Sequence, residues 1–396
     1  MSQPASRSDA PVRVSLALLV LIAFSGTLAM HIFVPALPRA AEALATDGPT
    51  IQLTVTIYIL GLAIGQLVYG SLADAFGRRR AVLIGLSVFL AGSVGCFLAP
   101  SVELLLVARL VQALGGAGGL SLTRVIVADT NKGAAATRNI AVLNMILLIG
   151  PGVAPVVGAQ IAELLGWRTT FIFLSLMGLT AISLSAVRLP ETGNPTGSFS
   201  LGKMAADFVG LVRNRNYLQS AVGGALGSTA CYAYFVSAPF ILHSEMGLSI
   251  QAVGYSVGGT LGAAALGTML TRSIVGKVSN KMISLTFSMI GVAAGLIFLA
   301  GAIGDFLNPV LVITLSCIVL FSAGALGPVS VGMTLSDAGP MVAAASGVYG
   351  CFQMTVGVIC SFLAGLFIDH ELGCGVILTA AYVICWSLFF LRYRRG

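Results

Sequence analysis

Charged residues are scarce in this chain, and the scarcity limits what the protein can be. They make up 9% of the 396 residues, against 57% hydrophobic residues and a mean hydropathy of +0.99. A soluble domain carries about 25% charged residues. The composition therefore excludes a mainly soluble protein and indicates one that crosses a membrane several times.

Several catalytic and binding motifs are missing as well. The seven cysteines form no C-x-x-C pair, so the sequence predicts neither a disulfide framework nor a zinc site. There is no G-x-x-x-x-G-K-[ST] phosphate loop, which argues against ATP-driven pumping, and no H-E-x-x-H pair. We therefore expect no enzyme activity, no metal site and no cofactor.

Long apolar runs are what the chain has in quantity. A membrane-spanning helix needs about 20 mostly apolar residues. The sequence predicts an all-α integral membrane protein with twelve transmembrane helices, at 14–36, 51–73, 81–99, 102–127, 138–162, 169–189, 217–240, 251–274, 282–303, 309–333, 341–368 and 372–391.

Basic residues are unevenly distributed among the loops that join these runs. With the amino terminus in the cytoplasm, all but three of the 21 lysines and arginines fall in cytoplasmic segments; Arg39 and Arg168 lie outside, and Arg109 lies within a span. The positive-inside rule then predicts that both termini are cytoplasmic. The net charge of +7 reflects this bias and is no reason to expect nucleic acid as a partner. The first 13 residues lack the features of a secretory signal, so the first span is expected to remain as an anchor.

The longest internal polar stretch, 190–216, divides the spans six and six. It predicts an amino-terminal half over 1–189, a cytoplasmic linker over 190–216 and a carboxy-terminal half over 217–396. Transporters built from two such halves hold their substrate near the membrane midplane, between the halves.

The segment between the second and third spans carries the most specific motif. Residues 70–80 read Gly-Ser-Leu-Ala-Asp-Ala-Phe-Gly-Arg-Arg-Arg, and this spacing resembles the corresponding loop of the major facilitator superfamily of secondary transporters. The resemblance implies alternating access with a cytoplasmic latch of charged residues. The latch residues that it implies are Gly70, Asp74, Gly77, Arg78, Arg79, Arg124 and Asp129. In the alternative interpretation, the three arginines only set the topology.

An arginine inside the fourth span is the second signal. A charge at the bilayer centre costs about 2.5–3.5 kcal/mol on insertion scales, so Arg109 must face a cavity or a partner. It resembles the fourth-span arginine of the family, which implies a place in the central cavity, contact with substrate and a part in proton transfer. A structural role, with the guanidinium bonded to backbone carbonyls, is the alternative.

The fifth span contains a proline- and glycine-rich segment. Residues 150–159 read Gly-Pro-Gly-Val-Ala-Pro-Val-Val-Gly-Ala, and they resemble the fifth-span signature of the antiporter branch of the superfamily. The matching residues are Gly150, Pro151, Ala154, Pro155 and Gly158. The resemblance favours export over import, whereas a bent packing helix without directional meaning is the alternative.

Shorter stretches narrow the family. They are residues 31–38 at the end of the first span, 166–168 before the sixth span and 237–240 at the end of the seventh. Together they resemble the bicyclomycin/chloramphenicol-resistance group of drug:proton antiporters. The resemblance implies a multi-pass protein of a bacterial inner membrane. It would be a monomer surrounded by lipid that exchanges a small-molecule substrate for protons.

One position departs from that group. Its members usually have an aspartate in the first span where this chain has His31, and all fourteen acidic residues here fall in loops or at span ends. An imidazole titrates near neutral pH, so His31 is the best candidate for the proton carrier, together with Arg109. A cavity with positive charge and no acid should prefer neutral or weakly acidic compounds. A histidine bonded to a backbone carbonyl near Pro35 is the alternative.

Polar and aromatic residues at membrane depth complete the candidate substrate site. Such groups often line a pocket, but they also serve as contacts between helices. Besides Arg109, the candidates are Tyr58, Gln112, Asn144, Tyr232, Tyr234, Phe235 and Gln353. A second function remains open at this point, namely a dedicated metabolite or siderophore carrier, in either direction, for which drug resistance would be incidental.

Overall fold

The chain folds into α-helices. We describe it from a computed structural model that covers residues 14–130, 150, 152–193, 201–338 and 342–394. The helices are α1 (Leu16–Ala43), α2 (Gly48–Phe76), α3 (Arg78–Leu98), α4 (Val102–Thr130), α5 (Gly152–Leu165), α6 (Thr169–Arg188), α7 (Leu201–Arg213), α8 (Arg215–Glu245), α9 (Ile250–Ile274), α10 (Asn280–Ile303), α11 (Pro309–Asp337), α12 (Val342–Gly365) and α13 (His370–Arg394).

These helices confirm the predicted all-α membrane fold. Within the described residues, eleven helices are long and apolar enough to cross a membrane. The shorter α5 is the described part of the predicted fifth span, whose residues 138–149 and 151 lie outside the described ranges. Large apolar side chains such as Leu176, Leu266 and Leu296 are at least half exposed on the bundle surface, as expected of helices that face lipid.

Local sequence signals explain where several helices begin. Asp47 precedes α2, and its carboxylate accepts a hydrogen bond of 2.7 Å from the Thr50 N–H. Hydrogen bonds from the Thr50 side chain and from its N–H hold the pKa of Asp47 below its ordinary value. Ser249, Ser279 and Asn308 cap α9, α10 and α11 in the same way. Each cap satisfies an N–H group that the first helical turn leaves unpaired.

The same pattern of helix packing occurs twice along the chain. In the first half, α4 packs against α1, α2 and α3, and α3 also packs against α6; in the second, α11 packs against α8, α9 and α10, and α10 against α13. Between them, α2 packs against α12. Repeated packing of this kind is typical of transporters built from internal repeats. The division of the chain at 190–216 stays a prediction.

The predicted linker contains a helix that polar composition alone does not indicate. Helix α7 lies against α8 and α12. Its Leu211 is buried in a small cluster with Tyr217 and Ala345, and the ring of Phe208 stacks on that of Phe352 at 6.4 Å. The linker therefore contains an amphipathic element that lies against the second half of the protein.

The two ends of the bundle differ in charge. We call the end that carries Arg78, Lys277 and Arg392 the basic end, and the end that carries Asp47, Glu163 and Asp369 the acidic end. The predicted cytoplasmic location of both termini corresponds to the basic end facing the cytoplasm. That orientation is a prediction of the positive-inside rule.

Candidate functional site

Two broken helices meet near the middle of the bundle. The regular part of α1 ends at His31, followed by a 3-10 turn at Val34–Ala36 that contains a proline. Helix α8 is interrupted after Thr229, resumes at Tyr232 and ends in a π-helical turn, Phe240–Glu245. Discontinuous helices at the interface of two repeats are where transporters of this architecture bind substrate.

A cavity of about 220 Å³ lies beside both breaks. Most of its described lining is apolar or carries hydroxyl groups, and that lining includes no carboxylate. The lining residues are His31, Ser228, Cys231, Tyr232, Phe235, Leu261, Ala264, Thr268, Leu320, Ala323 and Gly324. We call this space the central cavity.

His31 is the titratable side chain of the central cavity whose ordinary pKa lies closest to neutral pH. It is 5% exposed, and its ring meets the ring of Phe235 edge-on, with centroids 5.4 Å apart. Within the described part of the chain, its Nδ1 atom has no hydrogen-bond partner. The alternative in which a backbone carbonyl holds this nitrogen therefore finds no support in the described contacts.

Arg109 lies behind the cavity, fully buried within the first half. Its Nη1 donates to the backbone oxygen of Ala29 at 3.1 Å and to Oε1 of Gln112 at 2.7 Å, and its Nε donates to the backbone oxygen of Thr54 at 3.3 Å. Its guanidinium carbon lies 4.0 Å from the centre of the Tyr58 ring. Carbonyl dipoles and a π-face can hold a buried cation without an acid.

These contacts match the alternative in which Arg109 has a structural role and its guanidinium is bonded to backbone carbonyls. Arg109 is not among the residues that line the central cavity. The same network holds two further candidates for substrate contact. Gln112 donates to Oγ of Ser93 at 2.8 Å, and the Tyr58 hydroxyl donates to the backbone oxygen of Gly26 at 3.0 Å. Both side chains are fully buried, so in this conformation they hold α1, α2, α3 and α4 together.

The remaining predicted cavity residues fall into three groups. Tyr232 and Phe235 line the central cavity. Gln353 lies just behind the wall and donates to the lining Ser228 at 3.0 Å, while Tyr234 is buried away from it. Asn144 lies outside the described residues. The walls contributed by α9 and α11 were not predicted, because small and aliphatic residues there look like ordinary membrane residues.

The proline- and glycine-rich segment of α5 packs against the second half. A Cβ atom on Gly254 of α9 would lie 2.5 Å from Cβ of Ala159 and 2.8 Å from the backbone oxygen of Pro155. A Cβ atom on Gly158 would overlap the backbone oxygen of Ile32 in α1. Gly150 and Ala154 are buried, and Pro151 lies outside the described residues. The motif therefore forms a contact between α1, α5 and α9.

Polar contacts between the halves close the acidic end of the bundle. Nε2 of Gln52 lies 3.3 Å from Nδ1 of His370, and the hydroxyls of Thr56 and Ser361 are hydrogen-bonded. These pairs join α2 to α12 and α13. Together with the α5–α9 contact, they separate the central cavity from the acidic end.

Part of the predicted latch forms a charge cluster at the basic end. Nε of Arg78 lies 3.2 Å from Oδ2 of Asp129. Glu191, which follows α6, accepts hydrogen bonds from the backbone N–H groups of Arg78 at 2.7 Å and Arg79 at 3.2 Å. Gly77 has φ +94°, a conformation that favours glycine. These contacts lie within the first half and at the start of the predicted linker, and the side chains of Asp74 and Arg124 are outside the described part.

Gly70 completes the set of latch predictions. It lies on the exposed side of α2, and a Cβ atom there would meet no atom of the described residues within 4 Å. If Gly70 has a role in the latch, that role belongs to a conformation in which another helix approaches it.

A second charge cluster, missed at the sequence level, occurs at the basic end of the other half. Asp337 at the end of α11 accepts hydrogen bonds from both Nη atoms of Arg392 in α13, at 2.6 and 3.0 Å, and one of 2.8 Å from the Ser220 hydroxyl. Asp337 is the last residue of α11, and Asp129 lies near the end of α4, so the two acidic residues occupy corresponding places. The sequence shows this correspondence, but Arg392, the partner of Asp337, is distant from it in the sequence.

We expect Asp337→Asn to reduce the free energy of unfolding by about 2 kcal/mol, because it leaves a mostly buried arginine without its counter-charge. The side chains of Arg392 and Asp337 are only 16% and 12% exposed. Glu163→Gln is the matched control, since Arg39 and Glu163 also pair, at 2.8 Å, but with side chains 37% and 32% exposed. That pair should contribute less than about 1 kcal/mol. Thermal unfolding of the purified protein tests both variants. Equal losses of stability in Asp337→Asn and Glu163→Gln would contradict the larger contribution expected of the Asp337–Arg392 pair.

Within the described residues, no group of three or more His, Cys, Asp or Glu side chains could hold a metal ion. The polar groups of the central cavity are one imidazole, hydroxyls and a thiol. Such a set can hydrogen-bond a small molecule and accept or release a proton at His31.

Comparisons with known proteins agree with this architecture. The family model of the Major Facilitator Superfamily matches residues 19–361. A chloramphenicol resistance protein of Pseudomonas aeruginosa is 32% identical over 257 residues, 64% of this chain and 59% of that protein. Multidrug resistance protein D of Escherichia coli (strain K12) is 25% identical over 383 residues, covering 94% of each chain. An inward-facing, unoccupied bacterial homolog of the human lysosomal transporter Spinster superposes with a TM-score of 0.73 at 15% identity, covering 96% of each chain.

Proposed function

The chain belongs to the Major Facilitator Superfamily of secondary transporters, and from this premise we propose that it exports small neutral or weakly acidic compounds across a bacterial inner membrane in exchange for protons. The observation that carries the proposal is the composition of the central cavity. A histidine faces the cavity, aromatic and aliphatic groups surround it, and none of the described residues that line it is a carboxylate. An exporter of lipophilic cations would be expected to offer a carboxylate there.

The substrate class follows from the electrostatics of the site. His31 lines the cavity and the buried guanidinium of Arg109 lies within the first half behind it. A cationic ligand would be desolvated without a counter-charge, which is unfavourable. A neutral compound can instead stack on Tyr232 or Phe235 and hydrogen-bond to Ser228 and His31. A weakly acidic compound can bind in the same way in its uncharged form.

The direction of transport is inferred from two observations. The segment that resembles the antiporter signature packs α5 against α9 at the acidic end, where the halves must separate for substrate to leave. One relative that covers 94% of this chain is named for multidrug resistance, and another that covers 64% of it is named for chloramphenicol resistance. Both observations support export, with the basic end in the cytoplasm.

Proton exchange can be explained with the groups present. We infer that His31 takes a proton when the central cavity opens at the acidic end and releases it when the cavity opens at the basic end. Substrate and proton would then compete for one site, so the binding of either one would displace the other from the cavity. The two halves alternate by separating the Gln52–His370 and Thr56–Ser361 contacts that now close the acidic end.

Transport in inside-out membrane vesicles tests the proposal. With an acidic lumen, we expect vesicles that contain the protein to accumulate chloramphenicol, and a protonophore to abolish the accumulation. Vesicles without the protein provide the control. Uptake that is indifferent to the gradient would refute proton exchange, and uptake of one metabolite to the exclusion of unrelated drugs would favour a dedicated carrier.

A further inference from the structure

A second cavity, of about 380 Å³, lies between α9 and α11 at the basic end. Thr268 lines both this space and the central cavity, so the two meet at its side chain. The second cavity continues from there past Thr271 and Val275 to Arg272 and Asn280. We call it the basic-end cavity.

The packing of α9 against α11 explains why a cavity opens here. Deeper in the membrane the two helices touch, because a Cβ atom on Gly324 would overlap the backbone oxygen of Ala264. Toward the basic end, Pro328 interrupts the hydrogen bonding of α11. On either side of Pro328, Cβ atoms on Gly327 and Gly332 would meet no atom of the described residues within 4 Å. The two helices therefore touch at Gly324 and leave space around Pro328, toward the basic end.

The hydroxyl groups of this cavity are already used within the protein. Thr268 donates to the backbone oxygen of Gly324 at 3.0 Å, and Thr271 donates to that of Ala325 at 2.9 Å. The surface that remains for contact with a ligand is therefore aliphatic, and Val275 and Pro328 contribute to it. The polar groups at its mouth are the guanidinium of Arg272 and the amide of Asn280.

The guanidinium of Arg272 is exposed, and among the described residues it forms no hydrogen bond or ion pair. Lys277 and Lys281 lie in the following turn and at the start of α10, and they add positive charge. The described acidic residue of this half at the basic end, Asp337, is paired with Arg392. The mouth of the cavity therefore carries positive charge that no acid on the described surface neutralises.

We propose that the basic-end cavity binds amphiphilic carboxylates, with the carboxylate on Arg272 and the apolar part between α9 and α11. Arginine matches a carboxylate with two parallel hydrogen bonds, which a lysine cannot reproduce. Because the cavity meets the central cavity at Thr268, a bound anion lies next to the transport site. The further step, in which the bound anion moves into the central cavity, rests on the proposed export. The binding of the anion does not depend on that proposal.

A matched pair of compounds tests the site on the purified full-length protein. 4-Phenylbutanoate and its uncharged amide have nearly the same shape and differ in the charged group. We expect calorimetry to give tighter binding of the carboxylate, and Arg272→Gln to weaken that binding about tenfold, the factor that 1.4 kcal/mol gives. Amide binding should not change. Because Arg272 is exposed, the variant should keep its unfolding temperature.

One further variant makes the outcome decisive. Lys277→Gln removes a neighbouring charge that does not line the cavity, so it should weaken binding by less than about twofold at physiological salt. Equal affinity for acid and amide, or an affinity for the carboxylate that Arg272→Gln leaves unchanged, would overturn the proposal. None of these measurements depends on a proton gradient, so failed transport would leave the result intact.

Discussion

Transport by the Gly254→Leu variant is expected to fall at least about tenfold while the protein still inserts and folds. Gly254 of α9 lies where the second half touches α5, and even a Cβ atom there would come within 2.5 Å of Ala159 and 2.8 Å of the backbone oxygen of Pro155. Overpacking of a close contact costs about 1–3 kcal/mol. A penalty of that size, applied to one conformation, shifts its population about 5- to 150-fold.

The position of the contact gives the direction of the shift. It lies at the acidic end, which is closed, and it joins two halves that must separate there. The leucine should therefore disfavour the conformation described here and favour one open at the acidic end. A cysteine introduced at Thr56, in a background without the native cysteines, should then react faster with a membrane-impermeant maleimide applied from that side.

Gly259→Leu is the matched control on the same helix. A Cβ atom at Gly259 would meet nothing within 4 Å, and the residue is exposed. The control should transport close to the wild-type rate and should not change the reactivity at position 56. If both variants lose transport equally, the loss reflects a general intolerance of α9 to large residues and the α5–α9 contact has no special part in alternation.

The fold was largely predictable because its signals are local. Each span is a long, mostly apolar run, and each predicted run coincides with a helix wherever the chain is described, the fifth only in part. The pairing of Arg78 with Asp129 was also expected, since a motif of known spacing supplied one partner and the end of the fourth span the other. These predictions needed no knowledge of which helices pack together.

The site was less predictable because it depends on contacts between distant segments. The sequence marked Arg109 as a residue that needs a partner, but its partners are backbone oxygens of Ala29 and Thr54, on two other helices. Leu261 and Leu320 line the central cavity, yet an aliphatic residue on a membrane helix has the same appearance whether it faces lipid, protein or a cavity. Only the packing of α8, α9 and α11 distinguishes these cases.

His31→Asn should abolish accumulation driven by a pH gradient and preserve exchange of substrate without one. Asparagine has a similar size and can hydrogen-bond, but it cannot bind a proton near neutral pH. His31 lines the central cavity, and in the part of the chain that the structure describes its Nδ1 has no partner and no carboxylate lines that cavity. The variant should therefore keep a binding site and lose its proton carrier.

The size of the effect follows from the energy of the gradient. One pH unit corresponds to 1.36 kcal/mol, so an exchanger that moves one proton per substrate sustains at most about a tenfold accumulation across a gradient of one unit. In wild-type vesicles with an acidic lumen the accumulation ratio should approach that limit, and with His31→Asn it should fall to about one. Counterflow of labelled against unlabelled substrate at equal pH should continue in both.

His243→Asn separates this role from a general sensitivity to histidine loss. His243 lies near the acidic end of α8, and its Nδ1 is 2.6 Å from the backbone oxygen of Leu248. Its substitution should leave the accumulation ratio unchanged. Accumulation that persists in His31→Asn would mean that the proton is carried elsewhere, and loss of counterflow along with accumulation would mean that His31 binds substrate. Only loss of accumulation with counterflow intact supports His31 as the carrier, because a coupling residue is needed for the gradient to act and is not needed for the halves to alternate.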